Sequence, residues 1–170
     1  MNTALLPNGL KEIRVLVFDS FGFEFSNLFL EKESTEYEAC QFELNGKKVL
    51  FRSAKITPTK TGLFVTIWKR EGKGPIAPFE DADPIDLFVI STKKEGRLGH
   101  FVFPKEVLAK KGIVTTGLKE GKRGIRVYPP WDTDLNKQAQ KTQQWQLDYF
   151  LEIPSDKVVD AVRIKQLYNL

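Results

Sequence analysis

One cysteine, Cys40, and one histidine, His100, are all that the 170 residues offer. An intrachain disulfide is therefore impossible, and so are the Cys/His zinc sites that need several such ligands. Nucleophilic mechanisms of the Ser-His-Asp or Cys-His kind would rest on His100 alone, and no nucleophile motif lies near it. Long apolar runs are missing as well: none approaches the roughly 20 residues that span a bilayer. Met1 to Pro7 has no basic stretch, and Pro7 cuts its apolar segment short, so no secretory leader is expected and the cytoplasm is the expected compartment. Internal repeats, low-complexity segments and long linkers are absent too. A chain of this length is expected to form one domain, residues 1–170, burying about two thirds of its unfolded surface.

Charge is present in quantity, and its distribution says more than its total of +4. Residues 1–46 hold eight acids against three bases, whereas residues 47–73 hold eight bases against the single acid Glu71. A surface of that sign attracts phosphate, nucleic acid or an acidic partner. Lysines that merely solvate a hairpin are the plainer reading.

Periodicity suggests strands flanked by helices. Residues 9–18 fit either an amphipathic helix or a strand, and residues 21–38 fit neither clearly. Residues 36–44 alternate as a strand, Asn45-Gly46 is a strong hairpin signal, and residues 47–56 supply the return. Further strands are expected at 63–70, 85–92, 98–103 and, last, 125–128. Pro104 opens a short helix that Gly112 stops. Residues 136–151 lack Gly and Pro and predict a helix, and Ser155 with Asp156 is placed to cap a terminal one. The expected class is α/β around one mixed sheet.

Four constellations can carry chemistry. Glu43 near the end of one strand and Lys55 on the paired strand match the carboxylate and lysine of Mg²⁺-dependent nucleases, but Ser53 stands where a second acid is needed. A metal there would require Glu38 or Asp86 to supply the missing oxygen, and an ordinary hairpin explains the residues equally well. The segment Lys55 to Gly62, followed by Trp68-Lys69-Arg70, combines cations, hydroxyls and a ring suited to phosphate contact and stacking; it is not a Walker loop. Trp68 equally fits the core face of its strand. In the segment from Gly121 to Trp131, Pro129-Pro130 can hold Tyr128 and Trp131 rigid beside Lys122, Arg123 and Arg126, or turn those rings into the core. Finally, Gln138, Thr142, Trp145 and Tyr149 share one helix face, and glutamines such as Gln144 can donate to phosphates or bases.

The residues Tyr37-Glu38-Ala39, Arg52-Ser53-Ala54-Lys55, Thr57 to Val65, Trp68-Lys69-Arg70, Gly99 to Lys105, Gly121 to Trp131 and Gln138 to Trp145 together resemble the MepB family of bacterial proteins. The resemblance covers Tyr37 to Phe150. It implies a three-layer α/β/α fold with a central mixed sheet, similar to the restriction-endonuclease and tRNA-endonuclease superfamily. In that pattern an acid and an Asp/Glu-x-Lys pair form the site. Glu43 would take the first place and Lys55 the lysine's, while Ser53 departs from the second acid, which favours binding over cutting.

The leading expectation is a nucleic-acid-binding protein with a degenerate nuclease-like site and no cofactor. Arg52, Lys55, Lys60, Lys69, Arg70, Lys122, Arg123 and Arg126 would meet phosphates of DNA or RNA, and Trp68, Tyr128 or Trp131 would stack. The alternatives are an active Mg²⁺-dependent nuclease or phosphodiesterase using Glu43 and Lys55, and a regulatory protein that binds an acidic partner or a small anionic ligand.

Overall fold

A computed structural model describes residues 5–170, so the reading of Met1 to Ala4 as part of a leaderless start lies outside the described residues. The central feature is a six-stranded sheet of order β1-β2-β3-β8-β9-β11, comprising β1 (Phe25–Leu30), β2 (Cys40–Leu44), β3 (Lys47–Ser53), β8 (Leu87–Lys94), β9 (Arg97–Pro104) and β11 (Phe150–Ile153). The β3/β8 pair is parallel and the other pairs are antiparallel. The sheet is thus mixed, as expected. Parallel neighbours need a long crossover. Residues 54–86 supply it, and they carry β4 (Lys55–Ile56), β5 (Leu63–Thr66), β6 (Trp68–Arg70) and β7 (Ile76–Pro78) on the way.

Period-two alternation splits the core into two layers. Val49, Phe51, Val89, Val102, Leu151 and Ile153 point to one face, which is covered by α1 (Asn8–Ile13) with its π-helical continuation to Asp19, and by α4 (Ala161–Tyr168). Leu50, Phe88, Ile90, Phe101, Phe103 and Phe150 point to the other. That face packs against a small sheet, β10-β5-β4, in which β10 is Gly124–Val127, and against α2 (Lys105–Lys110) and α3 (Lys137–Gln146). Three layers result. Among the described residues no helix is long and apolar enough to cross a membrane.

Several local expectations hold. Asn45 and Gly46 take φ of 48° and 81°, the pair of positive values that a two-residue hairpin turn of matching twist requires. Pro104 precedes α2, and Gly112, at φ 73°, follows it. Others change. The run 47–56 is two strands in two sheets: Ala54 N–H still reaches Ser91 O at 2.9 Å, and then Lys55 pairs with Phe64. The run 63–70 divides likewise at Ile67, whose N–H binds Arg123 O. The helix expected through Leu151 ends at Gln146, because Phe150 to Ile153 gain more as an edge strand on β9. Strand β10 is therefore not the last. Asp160, not Ser155 or Asp156, caps α4, accepting from Arg163 N–H at 3.1 Å.

His100 is fully buried on β9, and its Nε2 lies 2.8 Å from Tyr168 Oη. Nothing suggests catalysis by it; burial lowers its pKa from 6.5 to about 3. A neutral folded histidine that would take a proton when unfolded makes stability fall with acidification, between about pH 6.5 and 3. Tm should therefore drop as the pH is lowered through this window. The His100 share of that slope should vanish in His100→Gln; an unchanged slope would contradict the assignment.

Candidate functional site

The nuclease-like pattern does not assemble as the sequence suggested. Gln41 and Glu43 alternate with the core-facing Cys40, Phe42 and Leu44 of β2, so Glu43 leaves the sheet on the face opposite to Ser53. Its carboxylate receives the Asn27 side-chain amide. Asp86 accepts from Lys48 N–H at 2.8 Å. Lys48 stands at the other end of β3 from Ser53, about 17 Å away at strand spacing. Lys55 belongs to the small sheet, with Nζ 5.5 Å from the centre of the Tyr37 ring.

Of the three carboxylates considered, only Glu38 reaches Ser53. Ser53 Oγ donates to Glu38 Oε1 at 2.6 Å and lies 2.9 Å from Ser91 Oγ. The same carboxylate accepts from the N–H groups of Asn8 at 2.7 Å and Gly9 at 3.1 Å. Glu38 holds this position at a positive φ of 52°, a conformation that the three hydrogen bonds to its carboxylate help to hold. One carboxylate and two hydroxyls, closed over by α1, are a poor nest for Mg²⁺, and among the described residues no three His, Cys, Asp or Glu side chains are grouped to hold a metal. No metal-dependent step is therefore assigned here. The closure is tight: a Cβ on Gly9 would overlap Ser53 Oγ and sit 2.7 Å from Ser91 Oγ and 2.9 Å from Glu38 Oε1.

Many of the expected phosphate-binding cations are occupied within the fold. Arg52 is 1% exposed, paired with Glu31 through both terminal nitrogens and bound to Phe51 O at 2.9 Å. Lys69 is caged by Asp83, Glu71 and Glu80 at 2.9, 3.1 and 3.2 Å. Its burial works to lower its pKa, but those hydrogen bonds prevail and hold it above the ordinary lysine range. Arg70 lies over Trp68 and pairs with Glu33. Arg123 joins Glu120 and Ile76 O. Trp131 meets Phe150 edge-on at 5.6 Å, under Arg97, as a core plug. None of these residues lines the cleft in which others of the expected set meet.

Three of the other expected cations, Lys60, Lys122 and Arg126, come together. A cleft of about 830 Å³ opens between α3 and the outer face of the small sheet. Lys60 enters it from the β4–β5 loop, Lys111 from the end of α2 and Lys122 from the approach to β10, with Asp134 the one acid on its lining. Lys60 and Lys122 make no ion pair among the described residues. Arg126 forms the floor, fixed by Thr57 Oγ1 at 2.6 Å and by Thr61 O at 3.3 Å. Phe64, its partner in register, lies under the guanidinium at 5.9 Å. Gly124 beside it has no side chain because a Cβ would meet the Phe64 ring at 2.5 Å. Tyr128 and Trp145 complete the aromatic lining.

The α3 glutamines divide by role. Gln146, 1% exposed, accepts from Tyr128 N–H and donates to Arg126 O, both at 2.9 Å. It occupies the edge of β10 as another strand would. Gln143 donates to Pro129 O and Asp132 O, each at 2.9 Å, and holds the diproline turn. Gln140 reaches Leu135 O. Gln138 and Thr142 are left to line the cleft, whereas Gln144 is exposed and lies outside it. Phe64 and Lys111 were not anticipated. Alternation with buried Leu63 and Val65 was the available sign for Phe64; nothing local marked Lys111.

The family model described as MepB-like matches residues 31–152, most of the chain and both candidate regions apart from α1. The chain belongs to the MepB-like family. A solved structure described as the crystal structure of MepB is 39% identical, covers 82% of this chain and 95% of its own, and superposes with a TM-score of 0.74. A bacterial homing endonuclease is 16% identical, with coverage of 75% and 80% and a TM-score of 0.38. No match is found among curated proteins. In this MepB-like chain α1, whose N-terminus covers Glu38 and Ser53, precedes the family-matched residues.

Gly9→Ala tests how closely that cover fits. Overpacking of this kind costs about 1–3 kcal/mol. Each kcal/mol lowers Tm by about 2–4 °C at this chain length. An unchanged Tm on thermal denaturation would mean that α1 sits loosely over the hydroxyl cluster.

Proposed function

We propose that this MepB-like protein binds nucleic acid through the cleft between α3 and the small sheet, without cutting it. The observation that carries the reading is the convergence of Lys60, Lys111 and Lys122, from three separate elements, on one concavity floored by Arg126 and edged by Phe64, Tyr128 and Trp145. Convergent cations with one opposing acid set up a local field for phosphate. Rings and amide or hydroxyl groups beside them suit bases and sugars. Against cleavage stands the placement of Glu43, Asp86 and Lys55 away from Ser53, and the commitment of Glu38 to Ser53 and to α1.

Replacement of Lys60, Lys111 and Lys122 together by Ala tests it. The three are exposed and outside the core, so the fold should survive. Each lost phosphate contact should flatten the plot of log K against log salt by about 0.7–0.9, so the slope should fall by about 2 or more. A slope unaltered by the triple replacement would sink the proposal.

The cleft's volume falls within the range of small-ligand pockets, about 300–1,000 Å³, which favours a nucleotide-sized anion as the second reading. Titration with mononucleotides separates the two. Mononucleotide affinity equal to that of an oligomer would favour the small ligand.

A further inference from the structure

Resting on the nucleic-acid reading of the cleft, we infer that Arg126 is a positioning residue: its guanidinium closes the neck of the 57–62 loop and so presents Lys60, instead of gripping a phosphate itself. The loop joins β4 to β5, and Arg126 reaches it from β10, across Phe64 of the strand between. Nη2 donates to Thr57 Oγ1 at 2.6 Å, and Nη1 donates to Thr61 O at 3.3 Å and to Gly62 O at 3.5 Å. One planar fork thus ties the first residue of the loop to its last two. A lysine ammonium is a compact point charge without that fork. With both terminal nitrogens turned to the loop, the paired donors that would hold a phosphate bidentately are already engaged.

Little else holds the loop. Among the described residues, no other hydrogen bond reaches residues 57–62 outside the strand ladder. Thr59, Lys60 and Thr61 line the cleft on one side. On the other they line a second hollow of about 290 Å³, to which Lys94 alone of the described residues outside 56–63 contributes. The loop is therefore a partition with open space on both sides. Its neck is the exception: Gly62 takes a φ of 83°, and a Cβ there would meet the Tyr128 ring at 2.5 Å, so that ring closes against the neck as well. Lys60 is exposed on the free part of the loop. A ligand that had to order both the loop and a long side chain would lose affinity in doing so, and a neck fixed in advance lowers that cost.

The test is a double-mutant cycle on the full chain, read as affinity for a fluorescein-labelled, mixed-sequence DNA oligonucleotide at low salt. Thr57→Val removes the acceptor at the neck, keeps every cation and touches no residue of the cleft lining. It should weaken binding by about threefold or more in the parent chain, but by no more than about 1.5-fold in a Lys60→Ala background, because changes that act through one contact do not add. Arg126→Lys keeps the charge and loses the fork, and its effect should depend on Lys60 in the same way; it carries the test should Thr57→Val fail to fold. Equal losses with and without Lys60 would overturn the inference, since a merely structural effect does not depend on that side chain. Arg126→Lys binding as tightly as the parent would also overturn it, as the mark of a charge that meets phosphate directly. Failure of the parent chain to bind the oligonucleotide would overturn instead the reading on which the inference rests.

Discussion

The cleft depends on one buried carboxamide. Strand β10 lies at the edge of the small sheet and would present unpaired backbone groups to whatever packs beside it; Gln146 satisfies Tyr128 N–H and Arg126 C=O together. An unpaired buried backbone group costs about 1–3 kcal/mol. The two bonds therefore fix both the distance and the rotation of α3 against the sheet. Gln143 extends the attachment to Pro129 and Asp132, so the helix, the diproline turn and β10 move as a unit. A ligand then meets a wall and a floor already in place, and little ordering cost is left for binding.

The second constraint is the strand switch at Ala54. Ser53 still pairs with Ser91 in the central sheet, whereas Lys55 pairs with Phe64 in the small one. Two residues that read as neighbours on one strand thus serve different surfaces. Ser53 turns to Glu38 beneath α1, and Lys55 lies over Tyr37. An acid in place of Ser53 would set a second carboxylate against Glu38, a like-charge pair that the α1 amides alone would have to offset. The hydroxyl removes that conflict and makes the cluster a structural lock.

Much of the fold could be read from the chain, since the β2–β3 hairpin, the two apolar central strands and the Pro104 helix follow from turn chemistry and alternation acting over a few residues. What could not be read depended on distant partners. Nothing in Lys47 to Ile56 marks the change of sheet, and nothing in Leu147 to Leu151 forbids helix; the pairing with β9 decides. The charge excess of residues 47–73 misled for a related reason. Sequence counts cations but not their counterions, and Glu31, Glu33, Glu80 and Asp83, remote along the chain or across a turn, engage Arg52, Arg70 and Lys69. Lys60, Lys122, Arg126 and Tyr128 of the expected set meet in the cleft. Phe64 and Lys111 join them through tertiary packing alone.

Photo-cross-linking of a bound oligonucleotide, followed by peptide mapping, tests the central claim most directly. The account predicts cross-links confined to the segments around Phe64, Tyr128 and Trp145. Cross-links centred instead on Trp68, on Trp131 or on the Glu38 and Ser53 cluster would contradict it.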